Sequence, residues 1–298
     1  MATYHGKYQR KPRPRPFLWL GIGCGVLALV CAGFIADFLY GAVKADRSRR
    51  QAIEHYVTPV ASEYETTVPE TTRSEPTAAP EAETTQAAPE AETTQAAPET
   101  TQPTEPPRFP TIDFAGLREK NPEVVAWLQI PTLEIINYPV VLGQDNAYYV
   151  SHSWEGEESE NGAIFLDFQN QGDFSQPHNI LYGHCMKDGS MFQSLGKWEG
   201  PEFFSTKDRT VLLYLPEETR VYEIFAVERV NALDSRVYKT DYTLGADWQF
   251  ALEETLRKSQ HKTDKVLTAQ SEVLTLSTCV GGMDRLVVHA LCIEHVSV

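Results

Sequence analysis

The stretch VLTLSTCVGGMDR, residues 273–285, joins one alternating, strand-like run to a second through a glycine turn. It sets a thiol, Cys279, at the lip of the first run and a guanidinium, Arg285, at the start of the second. A thiol there can serve as packing, as a metal ligand or as a nucleophile. As a nucleophile it needs to form a thiolate, with a proton carrier for the leaving group, usually histidine. Acyl transfer also needs a donor for the developing oxyanion. Arg285 suits that task, because a guanidinium stays protonated and offers several N–H groups. The five residues between, VGGMD, fit a hairpin loop that would bring Arg285 back beside the thiol.

Eight histidines are available. His5 and His55 lie outside the globular region, and His152, His178 and His261 sit in polar, loop-like contexts. His289 and His295 belong to the last strand-like run. His184 stands at the end of another, in NILYGHCMKDGSMF, ahead of an Asp-Gly turn. Each of the three groups also has an ordinary reading: a packed thiol, a hydrogen-bonded surface histidine and a strand-end arginine.

The remaining cysteines narrow the options. Cys24 and Cys31 fall in an apolar N-terminal run, Cys185 follows His184, and Cys292 alternates with Leu286, Val288 and Ala290 as a packed core thiol would. There is no CxxC pair, which argues against a zinc ribbon or thioredoxin-type site. Three cysteines outside the apolar run leave at least one thiol free. No acidic cluster has calcium-loop spacing. Neither a metal nor a cofactor is expected.

The elements that must position these groups begin near residue 108. Eight β-type runs follow: 124–130, 133–141, 163–168, 179–184, 210–215, 220–230, 272–279 and 285–295. Gly, Pro, Asp and Asn separate them, which predicts a mainly β fold, a barrel or sandwich with helical insertions. DWQFALEETLRKS, 247–259, carries Trp248, Leu252 and Leu256 at helical spacing, with Asp247 as its expected N-cap. Shorter helices are expected near 113–120 and 190–197.

The chain ahead of this region is not globular in pattern. Residues 1–16 are basic, and 17–36, FLWLGIGCGVLALVCAGFIA, carry no charge. That length suits a membrane-spanning helix, allotted here to 17–40, with a juxtamembrane segment at 41–57. Five basic residues precede the run, and Lys44, Arg47, Arg49 and Arg50 follow it, so charge alone does not orient it. Residues 58–107 repeat AAPEAETTQ at 78–86 and 87–95 and a shortened AAPETTQ at 96–102. Such a segment cannot bury enough apolar surface to order itself and reads as a disordered spacer. The net charge of −15 divides as +6 over 1–57, −9 over 58–107 and therefore −12 over 108–298. That acidic balance argues against nucleic acid as a partner.

LSTC followed closely by Arg-Leu-Val-Val, with YGHCMKDGSMF about a hundred residues earlier, resembles the sortase family, and class B within it. NPEVVAWLQIPTLEIINYPVVLGQDNAYYV (121–150), GAIFLDFQN (162–170) and the insertion holding the 247–259 helix fit the same class. The resemblance covers 108–298. It implies an eight-stranded β-barrel and an extracytoplasmic cysteine transpeptidase of the Gram-positive cell membrane, N-terminus inside and catalytic domain outside. Such an enzyme cleaves a C-terminal sorting signal, Asn-Pro-x-Thr-like in class B, and joins the new carboxyl to an amine of a cell-wall precursor or a pilin. Carried over, Cys279 is the nucleophile, His184 the general acid and Arg285 the oxyanion stabiliser. Asn146, Tyr182, Ser277 and Thr278 fall near the substrate groove. Two departures stand out. The Cys279–Arg285 loop is shorter than in many class B members. Cys185 occupies a place more often held by Asn or His and could form a disulfide with Cys279.

Two further readings compete. Water in place of the amine would make the same thioester chemistry a cysteine protease. A non-enzymatic anchored surface module would not need His, Cys and Arg to converge. An L,D-transpeptidase is disfavoured by the absence of its His-Gly-x-x-x-Ser-x-Gly-Cys arrangement.

Overall fold

The computed structural model describes residues 16–60 and 108–298. The expected basic tail at 1–15 and the spacer at 61–107 lie outside the described residues. Residues 112–298 and the helix α1, Pro16–Tyr56, belong to one compact unit. The described residues 59, 60 and 108–111 fall outside that unit.

Eight strands close a barrel. They are β1 (Val124–Gln129), β2 (Asn137–Val141), β3 (Ile164–Leu166), β4 (His178–Tyr182), β5 (Thr210–Tyr214), β6 (Glu218–Asn231), β7 (Val273–Gly281) and β8 (Asp284–Ser297). Around the barrel the order is β8-β6-β5-β1-β2-β3-β4-β7, closing back on β8. The β2–β3 and β4–β7 pairs are parallel, and the rest are antiparallel. Closure leaves the barrel itself without a free edge. All eight expected runs are found, several trimmed. The 133–141 run shortens to 137–141, because Pro131–Leu133 wind into a 3₁₀ turn.

Alternation along each strand divides two layers. On β7, Leu274 and Leu276 point into the barrel with Leu128, Ile130, Leu181, Val211 and Val288. Phe192, Leu195 and Trp198 plug that interior from the 3₁₀ stretch Gln193–Glu199 and the residue before it. Val273, on the opposite face of β7, meets Phe225, Trp248 and Leu252 under helix α4, Ala246–Lys258. This helix starts one residue earlier than expected. Gly245 precedes it with φ 147°, so Asp247 lies in the first turn rather than at the cap. Helix α2, Phe114–Lys120, forms where predicted, with Asp113 accepting from Gly116 N. The segment expected to be helical near 190–197 is the 3₁₀ stretch. A six-residue helix, α3 (Pro201–Thr206), follows it.

The C-terminal half of α1 packs on the barrel unit. Ala52 and Tyr56 are buried, Tyr56 meets the Trp154 ring edge-on, and Arg49 lies over the Tyr138 ring. The 17–36 run falls within this helix, but most of its side chains are outside the described residues. Among the described residues no helix is long and apolar enough to cross a membrane.

A buried polar chain binds the outer layer to the barrel. His178 contacts Lys239 O at 2.7 Å through Nδ1 and Thr275 Oγ1 at 2.8 Å through Nε2. Thr275 Oγ1 in turn meets His289 Nδ1 at 2.9 Å. Glu228, on β6, lies 3.6 Å from His289 Nε2 and takes a two-pronged bond from Arg236, whose Nη1 also reaches Thr255 on α4. The sequence places His178 in a polar loop. The structure instead buries it at the start of β4, because the segment 232–245 folds over it. Burial pulls its pKa down to about 4 and takes His289 well below the ordinary histidine range.

This chain makes stability pH-dependent with a defined sign. The folded protein holds His178 neutral, so the stabilisation is complete above the unfolded pKa of ~6.5. It is lost as pH falls toward 4, by about 3 kcal/mol at ~1.4 kcal/mol per unit. His289 adds in the same direction. Denaturant unfolding between pH 7.5 and 4.5 is expected to show this decline. His178→Asn is expected to lower stability at neutral pH and to flatten the acid limb; an unchanged limb would remove His178 as its source.

Candidate active site

The parallel pair β4–β7 is the base of the site. Its register sets Leu181 opposite Leu276 and Tyr182 opposite Ser277. With Leu181 and Leu276 inside the barrel, Tyr182, Ser277 and Cys279 face outward. Gly183 N continues the ladder by donating to Ser277 O at 3.2 Å. A Cβ at Gly183 would stand 2.5 Å from Ile164 Cδ1 and 2.8 Å from Phe192 Cδ2. Only glycine lets the chain pass that close, and His184 emerges directly beyond it. The His184 carbonyl accepts from Phe192 N at 2.8 Å, which fixes its backbone.

The imidazole is fixed too. His184 Nε2 lies 2.7 Å from the Val150 carbonyl oxygen. A carbonyl can only accept, so Nε2 carries a proton and Nδ1 is the nitrogen left for proton exchange. Val150 closes the turn Tyr148–Val150, against which Gly162 packs.

On the other side, β7 and β8 form a hairpin tighter than the five-residue loop expected. Gly281 pairs with Asp284, so the turn is Gly282-Met283, and Val280 is squeezed out as a bulge. Cys279 then pairs directly with Arg285. Direct partners across a ladder share a face, as the sequence reading requires. Cys279 is exposed and unbridged. Arg285 Nη1 donates to the carbonyls of Gly282 and Asp284, each at 3.0 Å, which leaves Nε and Nη2 available.

Cys279, His184 and Arg285 line one groove of about 520 Å³, and the other four expected residues, Asn146, Tyr182, Ser277 and Thr278, line it as well. Their polar atoms are not equivalent. Asp167, buried at the end of β3, accepts from Tyr182 Oη at 2.8 Å, Asn146 Nδ2 at 2.9 Å and Gln169 N at 2.9 Å. Asn146 Oδ1 accepts from Phe168 N, so both ends of that amide hold the wall together. Burial and the Asp167 carboxylate push the Tyr182 phenol well above its usual range. Ser277 Oγ lies 3.0 Å from Tyr238 Oη, and the Tyr238 ring stacks on Tyr182. Thr278 differs: its Oγ1 is buried without a hydrogen-bond partner.

Sequence reasoning missed Asp167, Tyr238, Gly162 and the Val150 carbonyl. The acid in AIFLDF was the legible signal, a charge ending an apolar run. Tyr238 lies in a loop with no periodicity to mark it. Cys185 is exposed, and its thiol is pushed up by burial and then by the neighbouring Cys279.

A closed eight-stranded mixed barrel with a strand-end cysteine, histidine and arginine in one outer groove defines a cysteine transpeptidase of the sortase type. Residues 128–293 match the sortase domain family, and the chain belongs to that family. Its similarities fall in class B. It is 32% identical over 168 residues to sortase B of Listeria monocytogenes, covering 56% of this chain and 67% of that protein. It is 30% identical over the same length to sortase B of Staphylococcus aureus. Among solved structures, sortase B of Bacillus anthracis in complex with AAEK1 superposes with a TM-score of 0.57 at 36% identity, covering 62% of this chain and 85% of that one. A Staphylococcus aureus sortase B–substrate complex gives 0.57 at 29%, covering 61% and 84%.

The grip on His184 can be tested away from the reacting groups. At Gly162, φ is +59°, and a Cβ would stand 2.5 Å from Tyr149 O, 2.8 Å from Val150 O and 3.1 Å from His184 Cδ2. Gly162→Ala is expected to displace the Val150 carbonyl and lower the transpeptidation rate roughly 10- to 100-fold. A wild-type rate in the folded variant would show that His184 is not held through Val150.

Proposed function

We propose that this class B sortase cleaves an Asn-Pro-x-Thr-like sorting signal after its threonine and transfers the acyl group to an amine of a cell-wall precursor or a pilin. The observation that carries the reading is the convergence of Cys279, His184 and Arg285 in one groove. The Cys279 thiol passes its proton to His184 Nδ1, and the thiolate attacks the threonine carbonyl. The oxyanion is stabilised by the free donors of Arg285. His184 protonates the leaving amine from Nδ1, and the C–N bond breaks to leave a thioacyl-enzyme. The same nitrogen then takes the proton of the incoming amine as it displaces the thiolate. Thr278 also lines the groove, although its Oγ1 is buried. Asn146, Tyr182 and Ser277 shape the wall that receives its side chains.

The layout of the chain supports a surface-facing anchored enzyme. In this reading, 17–40 spans the membrane with the basic tail 1–16 inside. Residues 41–57 lie at the membrane, 58–107 form the spacer, and 108–298 carry the catalysis outside. The uncharged run at 17–36 and the basic residues before it support the anchor.

Intact-mass spectrometry of the full-length chain with Asn-Pro-x-Thr and Leu-Pro-x-Thr peptides tests the chemistry. An acyl adduct with the Asn-Pro-x-Thr peptide alone is expected, lost in Cys279→Ala and reduced at least ~100-fold in His184→Ala. Adduct from the Leu-Pro-x-Thr peptide alone would overturn the signal assignment. Release of free acid at the same rate with and without added amine would favour the protease reading.

A further inference from the structure

The end of the barrel remote from Cys279 carries a second chemical cluster. Glu272 lies just before β7, and Cys292 and His295 sit near the end of β8. Residues three apart on a regular strand point to opposite faces. Here they do not, because β8 is bulged between Cys292 and Glu294. Cys292 pairs with Tyr222 and Glu294 with Val221, so Ile293 is the extra residue. Bulges of this kind re-aim side chains, and this one brings a thiol and an imidazole to one side.

Cys292 Sγ lies 3.4 Å from His295 Nε2, and Glu272 Oε2 lies 3.4 Å from the same nitrogen. All three atoms are within 4.8 Å of one another. Tetrahedral zinc with bonds of ~2.0–2.3 Å separates its ligand atoms by about 3.3–3.6 Å. His295 Nδ1 faces Glu218 Oε2 at 3.1 Å. With Glu218 accepting a hydrogen bond from Nδ1–H, the Nε2 lone pair faces Cys292 and Glu272, the outer arrangement common to metal-bound histidines. Glu272 Oε2 is buried and makes no hydrogen bond. Arg220 donates from Nε to Glu218 at 2.6 Å and from Nη1 to Phe174 O at 2.7 Å, and the same Nη1 makes a longer ion pair with Glu272 Oε2 at 3.5 Å.

We propose that Glu272, Cys292 and His295 bind a divalent transition-metal ion, Zn²⁺ foremost, with Glu218 as the carboxylate behind His295 and water as the fourth ligand. A thiolate, an imidazole and a carboxylate form a donor set suited to zinc and unlike the all-oxygen sets of calcium or magnesium. Binding releases the Cys292 thiol proton to solvent. Thiolate and Glu272 then balance the ion's two charges, while Arg220 balances Glu218. The cluster opens on a groove of about 420 Å³, which provides an entry path. It stands seven residues along β7 from Cys279, about 23 Å at ~3.3 Å per residue. The ion is therefore structural: it ties the last strand to the starts of β6 and β7.

The test uses the full-length chain with Cys185→Ser and Cys279→Ala, which removes the active-site thiols. Co²⁺ is expected to bind at one ion per chain with a thiolate-to-cobalt charge-transfer absorption that Zn²⁺ displaces. Cys292→Ser should abolish that absorption. His295→Ala should weaken binding at least ~100-fold, and Glu218→Gln, which leaves all three ligands in place, about 10-fold. Zn²⁺ at a hundredfold excess over its dissociation constant should raise the thermal midpoint by about 5 °C. No charge-transfer absorption, or one that survives Cys292→Ser, would overturn the proposal. So would wild-type affinity in both His295→Ala and Glu218→Gln, which would leave His295 as a plain cationic bridge between Glu218 and Glu272.

Discussion

The site depends on the parallel pairing of β4 and β7, from His178 against Val273 to Tyr182 against Ser277. That ladder sets His184 and Cys279, 95 positions apart in sequence, at the same end of two adjacent strands. A parallel pair cannot be closed by a tight turn. The chain must leave the sheet and return, and it does so through β5, β6 and α4. The long crossover then has to go somewhere, and it covers the outer face of the same two strands. One topological requirement thus creates both the edge that carries Cys279 and His184 and the layer that walls it.

That layer explains an otherwise costly feature. Burying His178, His289, Glu228 and Arg236 between the barrel and α4 carries a desolvation penalty, which the connected network offsets only in part, since His289 Nε2 and Arg236 Nε are buried without hydrogen-bond partners. The network gives position in return. Lys239 O is pinned by His178, and Tyr238, one residue earlier, reaches Ser277 and stacks on Tyr182. A purely apolar seam would hold α4 as well, but it would not fix the direction of the Tyr238 hydroxyl. The groove wall is therefore positioned from behind, by groups that never meet the groove.

The sequence made some levels of this structure legible and left others hidden. The eight strands followed from alternation and turn residues, because each strand has one face in the barrel. The three reactive groups followed from strand-end placement together with the resemblance. Parallel pairing, by contrast, leaves no local trace, so nothing in NILYGH alone shows which strand lies beside it. His178 reads as a polar loop residue because the segment that folds over it comes some sixty positions later. The hairpin loop was counted at five residues because a bulge at Val280 cannot be seen in VGGMD. The same limit hid the Cys292–His295 cluster: by strict alternation the two belong on opposite faces, and the bulge at Ile293 reverses that. Bulges and non-local covers are decided by the whole sheet, and single-segment patterns do not register them.

The exposure of Cys279 constrains the proposed reaction further. A thioester formed there stands open to water, so aminolysis cannot be favoured by excluding water from the site. It must be favoured by the concentration and orientation of the amine. Residues 108–298 carry a net charge of −12, which under the proposed reaction would draw a cationic ammonium acceptor toward the surface, more strongly at low ionic strength. Attraction alone delivers the protonated, unreactive form. A base must remove that proton at the groove, and the Val150 carbonyl, by occupying Nε2 of His184, keeps Nδ1 free for it. In that scheme the selectivity between amine and water rests on a backbone carbonyl that touches neither of them.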